Sequence, residues 1–572
     1  MDKTIQSIHK KLSAVGINGI ELCEKGSSIQ LQGELSQYSD VVKAGKIASK
    51  YGYKGVINDI TTKGKKPAEI IKPDLQDNSL NGKQYDVVII GGGVIGCSIA
   101  RELSKYHMSI LLLEKECDVA MQASSRNDGM IHPGIATHLH GNTASYNVRG
   151  NKLYTQLCNE LGVPFQRTGN LIVFKEKNYH LFSPAVIARS KYIGVEYKHL
   201  SKKELFLMEP NITDDQEGGF IFPSSGVLSP YKLTVALAEN AVQNGVTVAL
   251  STIVTGMTKT NGKITEVITN RGRVIPCIVI NAAGVFADKI AEFAGDRFFT
   301  IHPRKGELII LDKKKSNLFT ASMGVLNLKQ LSGDTKGGGL VHTIDDNVLV
   351  GPNAIEVMDR EDYSTDRERV DKILQKQLPL IKGLSKADVI TYFSGVRAPT
   401  YEENFIVEAS ETVKNLVYAA GIQSPGLASA PAIAQDVAEI TISILGKSGK
   451  VKENVDYNPY NKLVNMSKMS FEQKQALIQK NPDYGVIVCR CEEISKGEII
   501  DALDSPIPVY TLDGIKRRVR PGMGRCQGGF CSPIVAQMIA QKSGINLIDV
   551  TKKGTGSKLL VSTTRKGEDS DV

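Results

Sequence analysis

The chain has 572 residues, 41% of them hydrophobic and 23% charged, a balance typical of globular proteins with several domains. Its formal net charge of +9 is small for this length, and no dense block of Lys and Arg interleaved with aromatic residues occurs, so no nucleic-acid partner is expected. The N-terminus lacks a secretory signal, and the most apolar run, residues 87–100, is short and rich in glycine. We therefore expect a cytoplasmic protein whose membrane contact is at most peripheral, at the inner face.

Residues 1–66 are predicted to form a small αβ unit. Residues 28–35 alternate polar and apolar as a half-buried strand does, residues 41–48 carry apolar side chains near helical spacing, and residues 55–60 are typical of a second strand. This segment resembles the BON domain, a small module associated with phospholipid or protein binding. The simplest interpretation is an appended adaptor without its own ligand, and membrane contact is the alternative. Residues 67–83 are polar, contain prolines and lack periodicity, which indicates a linker.

A dinucleotide-binding fingerprint opens the large α/β body expected at residues 84–445. An apolar strand leads directly into Gly91, Gly93 and Gly96, with the spacing G-x-G-x-x-G, and a helix is predicted to follow. Glycines at these places allow the tight turn and let a pyrophosphate approach the backbone at the helix N-terminus. A second apolar strand ends in Glu114, where a carboxylate would hold a ribose hydroxyl. The sequence therefore predicts a nucleotide site for FAD or NAD.

Further motifs of the body follow in an order that resembles the D-amino-acid-oxidase-type FAD-dependent oxidoreductase family, which includes glycerol-3-phosphate and L-2-hydroxyglutarate dehydrogenases. They lie in residues 123–135, 279–288, 302–307, 394–399 and 420–430. The resemblance implies a Rossmann-like lobe that holds FAD and a mainly antiparallel sheet that covers the substrate. It also implies cofactor contacts at Ser124, Ser125, Ala283, Gly284, Gly421, Gly426 and Leu427, the last three where a strand ends and a helix starts with its N-terminus toward the flavin.

The same resemblance implies the position of the substrate site. Oxidation of a secondary alcohol by a flavin needs a base for the hydroxyl proton and an anchor for the anionic end of the substrate. Arg397, in the motif Ser-Gly-Val-Arg, matches the family's substrate arginine and offers a two-pronged contact to carboxylate or phosphate; a surface ion pair is the alternative. His132 is the candidate base or flavin-side contact, because it falls in the loop that family members place beside the isoalloxazine, although a structural histidine is the alternative. Arg304 and Lys305 are interpreted as a solvated basic pair, and a contribution to anion binding is the alternative.

Four of the nine cysteines fall in two short runs near the C-terminus, Cys489-x-Cys491 and, after 34 residues, Cys526-x4-Cys531. Four thiolates suit an iron–sulfur cluster or a zinc ion, and the spacing alone does not separate the two. The surrounding residues include glycines that would let backbone N–H groups approach the sulfurs, and they resemble the [2Fe–2S] domain of bacterioferritin-associated ferredoxin. That resemblance implies a [2Fe–2S] cluster on a small helical unit at residues 484–542.

The overall layout resembles the large subunit of anaerobic glycerol-3-phosphate dehydrogenase, with a connector at 446–483 before the cysteine unit and a tail at 543–572. A flavin takes two electrons together and a [2Fe–2S] cluster passes them singly. We therefore expect a dehydrogenase that oxidises a small anionic secondary alcohol and delivers electrons to an acceptor protein subunit or a quinone-linked partner. Glycerol-3-phosphate enzymes usually show Gly-Gly-Lys in the place of the stretch that begins Gln423-Ser-Pro-Gly, and the absence of that lysine here leaves L-2-hydroxyglutarate or another 2-hydroxy acid as an alternative substrate. An amino-acid dehydrogenase and a non-catalytic flavin/iron–sulfur carrier or sensor are the remaining alternatives.

Overall fold

A computed structural model describes residues 3–137, 141–326, 338–446, 451–461 and 464–562. Its α-helices are α1 (Lys3–Ser13), α2 (Tyr38–Ala48), α3 (Val94–Leu103), α4 (Thr143–Leu161), α5 (Ser183–Ile193), α6 (Lys202–Met208), α7 (Pro230–Gln243), α8 (Ala287–Phe293), α9 (Arg367–Gln377), α10 (Gly426–Gly446), α11 (Phe471–Lys480), α12 (Lys496–Leu503), α13 (Leu512–Val519) and α14 (Ser532–Ser543). Its β-strands are β1 (Glu21–Lys25), β2 (Ser28–Leu35), β3 (Val56–Thr62), β4 (Gln84–Ile90), β5 (Ile110–Leu113), β6 (Met130–Ile131), β7 (Phe165–Gln166), β8 (Asn170–Phe174), β9 (Lys198–Ser201), β10 (Gly218–Phe222), β11 (Gly226–Leu228), β12 (Thr247–Ala249), β13 (Val254–Thr260), β14 (Lys263–Thr269), β15 (Gly272–Asn281), β16 (Arg304–Leu311), β17 (Ser322–Val325), β18 (Gly339–His342), β19 (Val348–Gly351), β20 (Ile355–Glu356), β21 (Val389–Arg397), β22 (Ile406–Ala409), β23 (Leu416–Ala420), β24 (Ile487–Cys489) and β25 (Ile494–Ser495).

The N-terminal unit is a three-stranded sheet that shares an apolar core with α1 and α2. β1 pairs with β2 antiparallel, and β2 pairs with β3 parallel. The predicted strands and helix correspond to β2, β3 and α2, whereas α1 and β1 lie outside the prediction. The unit packs on the body: a Cβ at Gly45 would overlap the ring of Tyr401, and Lys46 Nζ lies 3.2 Å from Glu356 Oε1. The likeness to the BON domain stays a prediction.

A parallel sheet forms the centre of the first lobe of the body. Its parallel strands run in the order β12-β5-β4-β15-β23, and β13, β14 and β22 extend it by antiparallel pairing. Every residue of β5 is buried, as is typical of a strand covered on both faces. Apolar residues of α3, α4, α7 and α10 build the core on one face, and those of α8 contribute to the other. Because β4, β5 and β15 are parallel, their carboxyl ends meet at one edge, which is where such folds bind ligands.

A mainly antiparallel sheet forms the second lobe. Its strands run in the order β20-β16-β19-β18-β17-β8-β10-β9, with β21 paired to β16, and β17 and β8 form the parallel pair. Apolar residues of α6 and α9 pack in its core. In the β16–β21 register, Arg304 lies opposite Arg397, which brings both arginines to the same end of the sheet. The predicted α/β class, with a parallel sheet and a separate antiparallel sheet, is confirmed for the body.

The C-terminal unit combines the hairpin of β24 and β25 with α12, α13 and α14 around a small apolar core. The connector before it runs back along the first lobe, where His107 N donates to Lys452 O at 2.8 Å, and then forms α11. The first part of the segment expected as a tail packs on the unit, because Leu512 N donates to Thr551 O at 3.2 Å. Residues 563–572 of that segment lie outside the described residues.

Candidate functional site

The candidate active site is a cavity of about 1570 Å³ between the two lobes of the body. The carboxyl ends of β4 and β5 and the segment after β15 form one wall, and residues of β16, β18 and β21 form the opposite wall. The volume exceeds the roughly 300–1,000 Å³ that is typical of a pocket for one drug-sized ligand. The cavity therefore has room for a dinucleotide together with a small substrate.

The glycine fingerprint lies at the wall formed by β4 and α3. Gly91 has φ +113° and no room for a side chain, since a Cβ there would overlap Ala282 O. Gly93 is the N-cap of α3, and a Cβ there would meet Ser124 Oγ at 3.2 Å and otherwise face the cavity. Gly96 lets α3 approach the end of β4 closely, because a side chain at this position would overlap Gly91 O. This cradle at a helix N-terminus fits the pyrophosphate of a dinucleotide such as FAD.

Glu114 follows β5 at the same wall of the cavity. Its carboxylate accepts hydrogen bonds from Gly92 N at 2.6 Å and Glu116 N at 2.8 Å, which turns it toward the fingerprint. Burial raises the pKa of Glu114 to about 7, the Glu116 carboxylate adds to this, and the two N–H groups oppose it. The side chain is therefore poised to form hydrogen bonds with a ligand hydroxyl.

The other predicted cofactor residues fall into two groups by position. Those that line the cavity are Ser124, Ala283, Gly284, Gly426 and Leu427. Ser124 Oγ also accepts a hydrogen bond from the N–H of Val94, the first residue of α3, at 2.8 Å. Ser125 and Gly421 lie behind the cavity wall: the Ser125 hydroxyl donates to Ala120 O, and a Cβ at Gly421 would lie 2.9 Å from Asn404 O. Their contacts with the cofactor stay a prediction.

Arg397 ends β21 and presents its guanidinium to the cavity. Both terminal nitrogens donate to Asn353 O at 3.3 Å, and no carboxylate of the described residues forms an ion pair with it. The lack of a side chain at Gly306 on β16 makes the space for this group, since a Cβ there would lie 2.5 Å from Arg397 Nη2. Burial lowers the pKa of Arg397 to about 10, partly opposed by Asp128. A buried cation without an acidic partner favours an anionic ligand.

His132 lies in the loop after β6 and lines the same cavity. Its backbone carbonyl accepts hydrogen bonds from Asn147 Nδ2 at 2.7 Å and Asn151 Nδ2 at 2.9 Å, and both asparagines belong to α4. These contacts fix the loop against a long helix and so hold the histidine at the cavity. Its role as a base stays a prediction.

The interpretation of Arg304 and Lys305 as a solvated pair is wrong. Both side chains are buried on β16, with 3% and 2% of the residue exposed. Arg304 forms ion pairs with Glu356 at 3.0 Å and Glu403 at 2.6 Å, and Lys305 forms one with Asp362 at 2.7 Å. The neighbouring strand and loops exclude water from these cations, and buried cations require acidic partners.

Sequence reasoning missed a polar network at the cavity. Arg304 Nη1 donates to Gln423 Oε1 at 3.3 Å, and the Gln423 amide donates to Glu403, so Gln423 is held by its neighbours. Arg126 also lines the cavity, with its guanidinium 4.0 Å from the ring centroid of Tyr363. The partners of Arg304 and Arg126 are distant along the chain, so no local pattern in the sequence signals them.

The four predicted metal-ligating cysteines converge in the C-terminal unit. The Sγ atoms of Cys489 and Cys491 are 3.9 Å apart, those of Cys491 and Cys526 are also 3.9 Å apart, and the neighbouring Cys531 thiol raises the pKa of Cys489. Of the described residues, no group of three or more His, Cys, Asp or Glu side chains is spaced to hold a single metal ion. The thiols thus form a chain of contacts, and together they supply four sulfur ligands.

The backbone around these thiols suits thiolate ligands. Burial raises the pKa of the Cys526 thiol, but backbone N–H groups of residues 528–530 outweigh this effect and lower it. A Cβ at Gly524 would overlap Cys491 Sγ, so only glycine lets the loop approach that sulfur. Four converging thiols with N–H donors aimed at them fit the ligand set of a [2Fe–2S] cluster.

Comparison with protein-family models agrees with both sites. The model described as FAD dependent oxidoreductase matches residues 86–440. The model described as BFD-like [2Fe-2S] binding domain matches residues 487–541. The cofactors are therefore FAD and a [2Fe–2S] cluster, and the alternatives NAD and zinc are set aside.

Individual relatives extend the comparison. The chain is 38% identical to a glycerol 3-phosphate dehydrogenase of Caloramator mitchellensis over 483 residues, which cover 84% of this chain and 99% of the relative. It is 29% identical to an L-2-hydroxyglutarate dehydrogenase of Escherichia coli (strain K12) over 282 residues, 49% of this chain and 66% of that protein. Its structure is similar to dithionite-reduced L-alpha-glycerophosphate oxidase from Mycoplasma pneumoniae with FAD bound, with a TM-score of 0.62, 26% identity, and coverage of 67% of this chain and 100% of that chain.

Proposed function

The chain belongs to the family of FAD-dependent oxidoreductases, and on that premise we propose that it is a dehydrogenase of glycerol 3-phosphate, a small anionic secondary alcohol. The observation that carries the proposal is Arg397, a half-buried guanidinium that faces the cavity with no ion-pair partner among the described residues. Such a group binds phosphate or carboxylate through two parallel N–H···O bonds. The relative from Caloramator mitchellensis, aligned over 84% of this chain, supports phosphate as the anionic group.

Two side chains carry the proposed chemistry: Arg397 on the wall formed by the second lobe, and His132 in the loop after β6. Arg397 anchors the phosphate and so orients the carbon that carries the hydroxyl. His132 takes the hydroxyl proton, and the alcohol becomes a ketone. Bound FAD would supply the acceptor for the hydride from that carbon. The fingerprint at Gly91 and Gly93, with Glu114 beside it, holds the pyrophosphate and ribose portions of the cofactor.

Electrons leave, in this proposal, through the [2Fe–2S] unit to a one-electron acceptor, either a protein subunit or a quinone-linked partner. Cys526 is only partly buried, and Phe530 in the same loop is 82% exposed, so the cysteine loop lies at the surface. A cluster near the surface is accessible to an acceptor, whereas the flavin cavity is walled by both lobes. Across the described ranges, no helix combines the length and apolar character needed to cross a bilayer.

L-2-hydroxyglutarate is the second candidate substrate, and Gln423 is the observation that favours it. The stretch that begins with Gln423 lacks the lysine that would add a second cation for phosphate, and Gln423 is engaged with Glu403 and Arg304. A carboxylate anchored by Arg397 alone would not need that lysine. The partial match to an L-2-hydroxyglutarate dehydrogenase agrees with this reading.

The proposal is tested by anaerobic addition of glycerol 3-phosphate, L-2-hydroxyglutarate and amino acids, one at a time, to the purified holoenzyme. The expected result is loss of the oxidised flavin absorbance with glycerol 3-phosphate at far lower concentration than with the others. Preferential bleaching by L-2-hydroxyglutarate would transfer the assignment to the second candidate. Bleaching by none of them would support the non-catalytic carrier.

A further inference from the structure

The C-terminal end of α13 carries three buried arginines, two in the last turn and one as the C-cap, although arginines usually reach solvent. The side chains of Arg517, Arg518 and Arg520 are 9%, 5% and 9% exposed. Each pairs with acidic groups, and most of those groups belong to the FAD-binding body. We refer to these three residues as the α13 arginines.

Two of the α13 arginines converge on one carboxylate of the body. Arg517 Nη2 lies 2.7 Å from Asp118 Oδ2, and Arg518 contacts both carboxylate oxygens, at 3.0 and 3.2 Å. The Asp118 side chain is fully buried, and Arg518 Nε also lies 3.5 Å from Glu239 on α7. Burial alone would raise the pKa of Asp118, but the charges of Arg518 and Arg517 lower it, so the carboxylate stays ionised inside the interface.

Asp118 belongs to the segment that leads from the nucleotide strand to the Ser124 loop. Two residues after it, Ala120 N donates to Gly92 O, in the fingerprint, at 3.0 Å. Asp118 itself does not line the cavity, whereas Glu114 before it and Ser124 after it do. The arginine–aspartate contact thus joins the cysteine unit to the frame of the FAD site without occupying that site.

The third arginine joins the cysteine loop to the second lobe. Arg520 Nε donates to Glu492 Oε2 at 3.1 Å, and Glu492 directly follows Cys491. Arg520 Nη1 donates to Asp345 Oδ2 at 2.8 Å and to the Tyr231 hydroxyl at 2.5 Å. One helix end therefore contacts the FAD lobe, the second lobe and the loop that holds a cluster ligand.

We propose that the α13 arginines clamp the [2Fe–2S] unit in a single orientation on the body, and that Asp118 is a positioning residue for electron transfer between the two cofactors. The inference rests on the proposed function for its direction of electron flow. Domain interfaces within one chain are commonly polar and permit motion. Here a tilt of the unit would leave buried charges unpaired, which is strongly unfavourable, so the docked orientation is fixed.

The test compares Asp118→Asn with a double variant, Arg517→Gln/Arg518→Gln, that leaves the nucleotide segment untouched. The matched control is Asp504→Asn, a half-exposed carboxylate of the same unit that pairs with Lys542. The first readout is amide hydrogen exchange of residues 512–520, which needs no substrate. The second is anaerobic stopped-flow with glycerol 3-phosphate, in which loss of flavin absorbance and reduction of the cluster are followed separately.

We expect exchange at residues 512–520 to rise by roughly thirtyfold or more in both clamp variants, as removal of one partner of a buried charge pair predicts. Cluster reduction should slow while flavin bleaching, FAD content and iron content stay at the wild-type level. Asp118→Glu should recover part of the protection, because it restores the charge. The control should match the wild type in every readout.

Wild-type exchange in the double variant would overturn the clamp, whatever the substrate. Greater exchange with an unchanged rate of cluster reduction would overturn the positioning role of Asp118. If the wild type itself bleaches but never reduces its cluster, the electron route of the proposed function is wrong, and the exchange measurement still decides on the clamp. If Asp118→Asn loses FAD, the exchange and cluster-reduction rates of the double variant alone test the clamp.

Discussion

At the residue scale, Arg397 is half-buried at the cavity, and the terminal nitrogens of its guanidinium donate to a backbone carbonyl, Asn353 O, at 3.3 Å. If an anionic substrate supplies the missing partner, Arg397→Met should weaken substrate capture and leave both cofactors in place. Loss of one partner of a buried charge pair costs about 2–5 kcal/mol, so kcat/KM for flavin reduction should fall by roughly thirtyfold or more. The measurement is anaerobic flavin reduction over a range of substrate concentrations.

Two further variants make the Arg397 result specific. Arg397→Lys should recover only part of the loss, because a point charge cannot reproduce the two-pronged contact. Arg273→Met, which removes an arginine whose side chain is 56% exposed on β15, should leave the kinetics unchanged. Equal rates in Arg397→Met and the wild type would contradict the anchor role.

Gly93 allows a test of the cofactor site that separates binding from folding. A Cβ there would meet Ser124 Oγ at 3.2 Å and otherwise point into the cavity, so Gly93→Val should fold but exclude the pyrophosphate. FAD content measured after gel filtration should fall close to zero. Gly256→Val on β13, where a Cβ would lie an ordinary 3.6 Å from Ile268, is the control and should retain FAD. Full FAD content in Gly93→Val would place the site elsewhere.

The residues that the sequence could predict are those whose role is set by local spacing. Gly91, Gly93 and Glu114 belong to one strand–turn–helix–strand unit, so their positions at the cavity follow from the pattern. Arg304 and Lys305 were misjudged, because their acidic partners lie 52 or more residues away and become neighbours only when the sheet forms.

At the scale of elements, the cysteine loop and the FAD lobe are separate structures, so their cofactors should be lost independently. Cys526→Ser removes one of four thiolate ligands and should abolish the iron signal while FAD remains bound. Iron and flavin are quantified on the same sample, with Cys277→Ser, at an exposed cysteine on β15, as the control. A variant that retained its iron but lost FAD would contradict the assignment of the cofactors to these units.

A clear period led to a correct prediction for one element of the N-terminal unit but not for every element that has one. β2 alternates polar and apolar residues along its length and was expected from that alternation. α1 was missed although Ile5, Ile8 and Leu12 stand at helical spacing, and Ile8 and Leu12 are buried in the core of the unit. β1 has four of its five residues exposed, so its sequence gives little indication of a strand.

At the scale of the whole molecule, Glu402 links stability to pH. Burial raises its pKa from the ordinary value of 4.5 to about 7, and its Oε1 has no hydrogen-bond partner among the described residues. The folded protein binds this proton more tightly than the unfolded chain does. The contribution of Glu402 to the free energy of unfolding is therefore complete below about pH 4.5 and is lost as the pH rises through about 7. A shift of this size corresponds to about 3 kcal/mol.

Glu402→Gln should therefore be more stable than the wild type at pH 8 and similar to it at pH 5. Denaturant unfolding at the two pH values measures this difference, and Glu368→Gln, at a carboxylate that is 78% exposed, is the control. An equal dependence on pH in Glu402→Gln and the wild type would show that this carboxyl does not control stability.

The order of units along the chain was predictable, but their arrangement in space was not. The fingerprint and the cysteine spacing each identify a unit by local sequence, and the matches to residues 86–440 and 487–541 agree with that division. The contact between Arg517 and Asp118 joins residues 399 positions apart, and the contact between Gly45 and Tyr401 joins the N-terminal unit to the body. Such contacts depend on the folded surfaces of both units, which no single segment of sequence specifies.

The central claim is that one chain takes two electrons from glycerol 3-phosphate and delivers them singly to its own cluster. The most direct test is to mix the anaerobic holoenzyme with glycerol 3-phosphate and to record flavin absorbance and the electron paramagnetic resonance of the reduced cluster on the same sample. We expect loss of the flavin absorbance together with the signal of a reduced [2Fe–2S] cluster in the wild type, and flavin reduction that is roughly thirtyfold or more slower in Arg397→Met at the same subsaturating substrate concentration. Unchanged flavin and a silent cluster in the wild type, under conditions where dithionite reduces both, would contradict it.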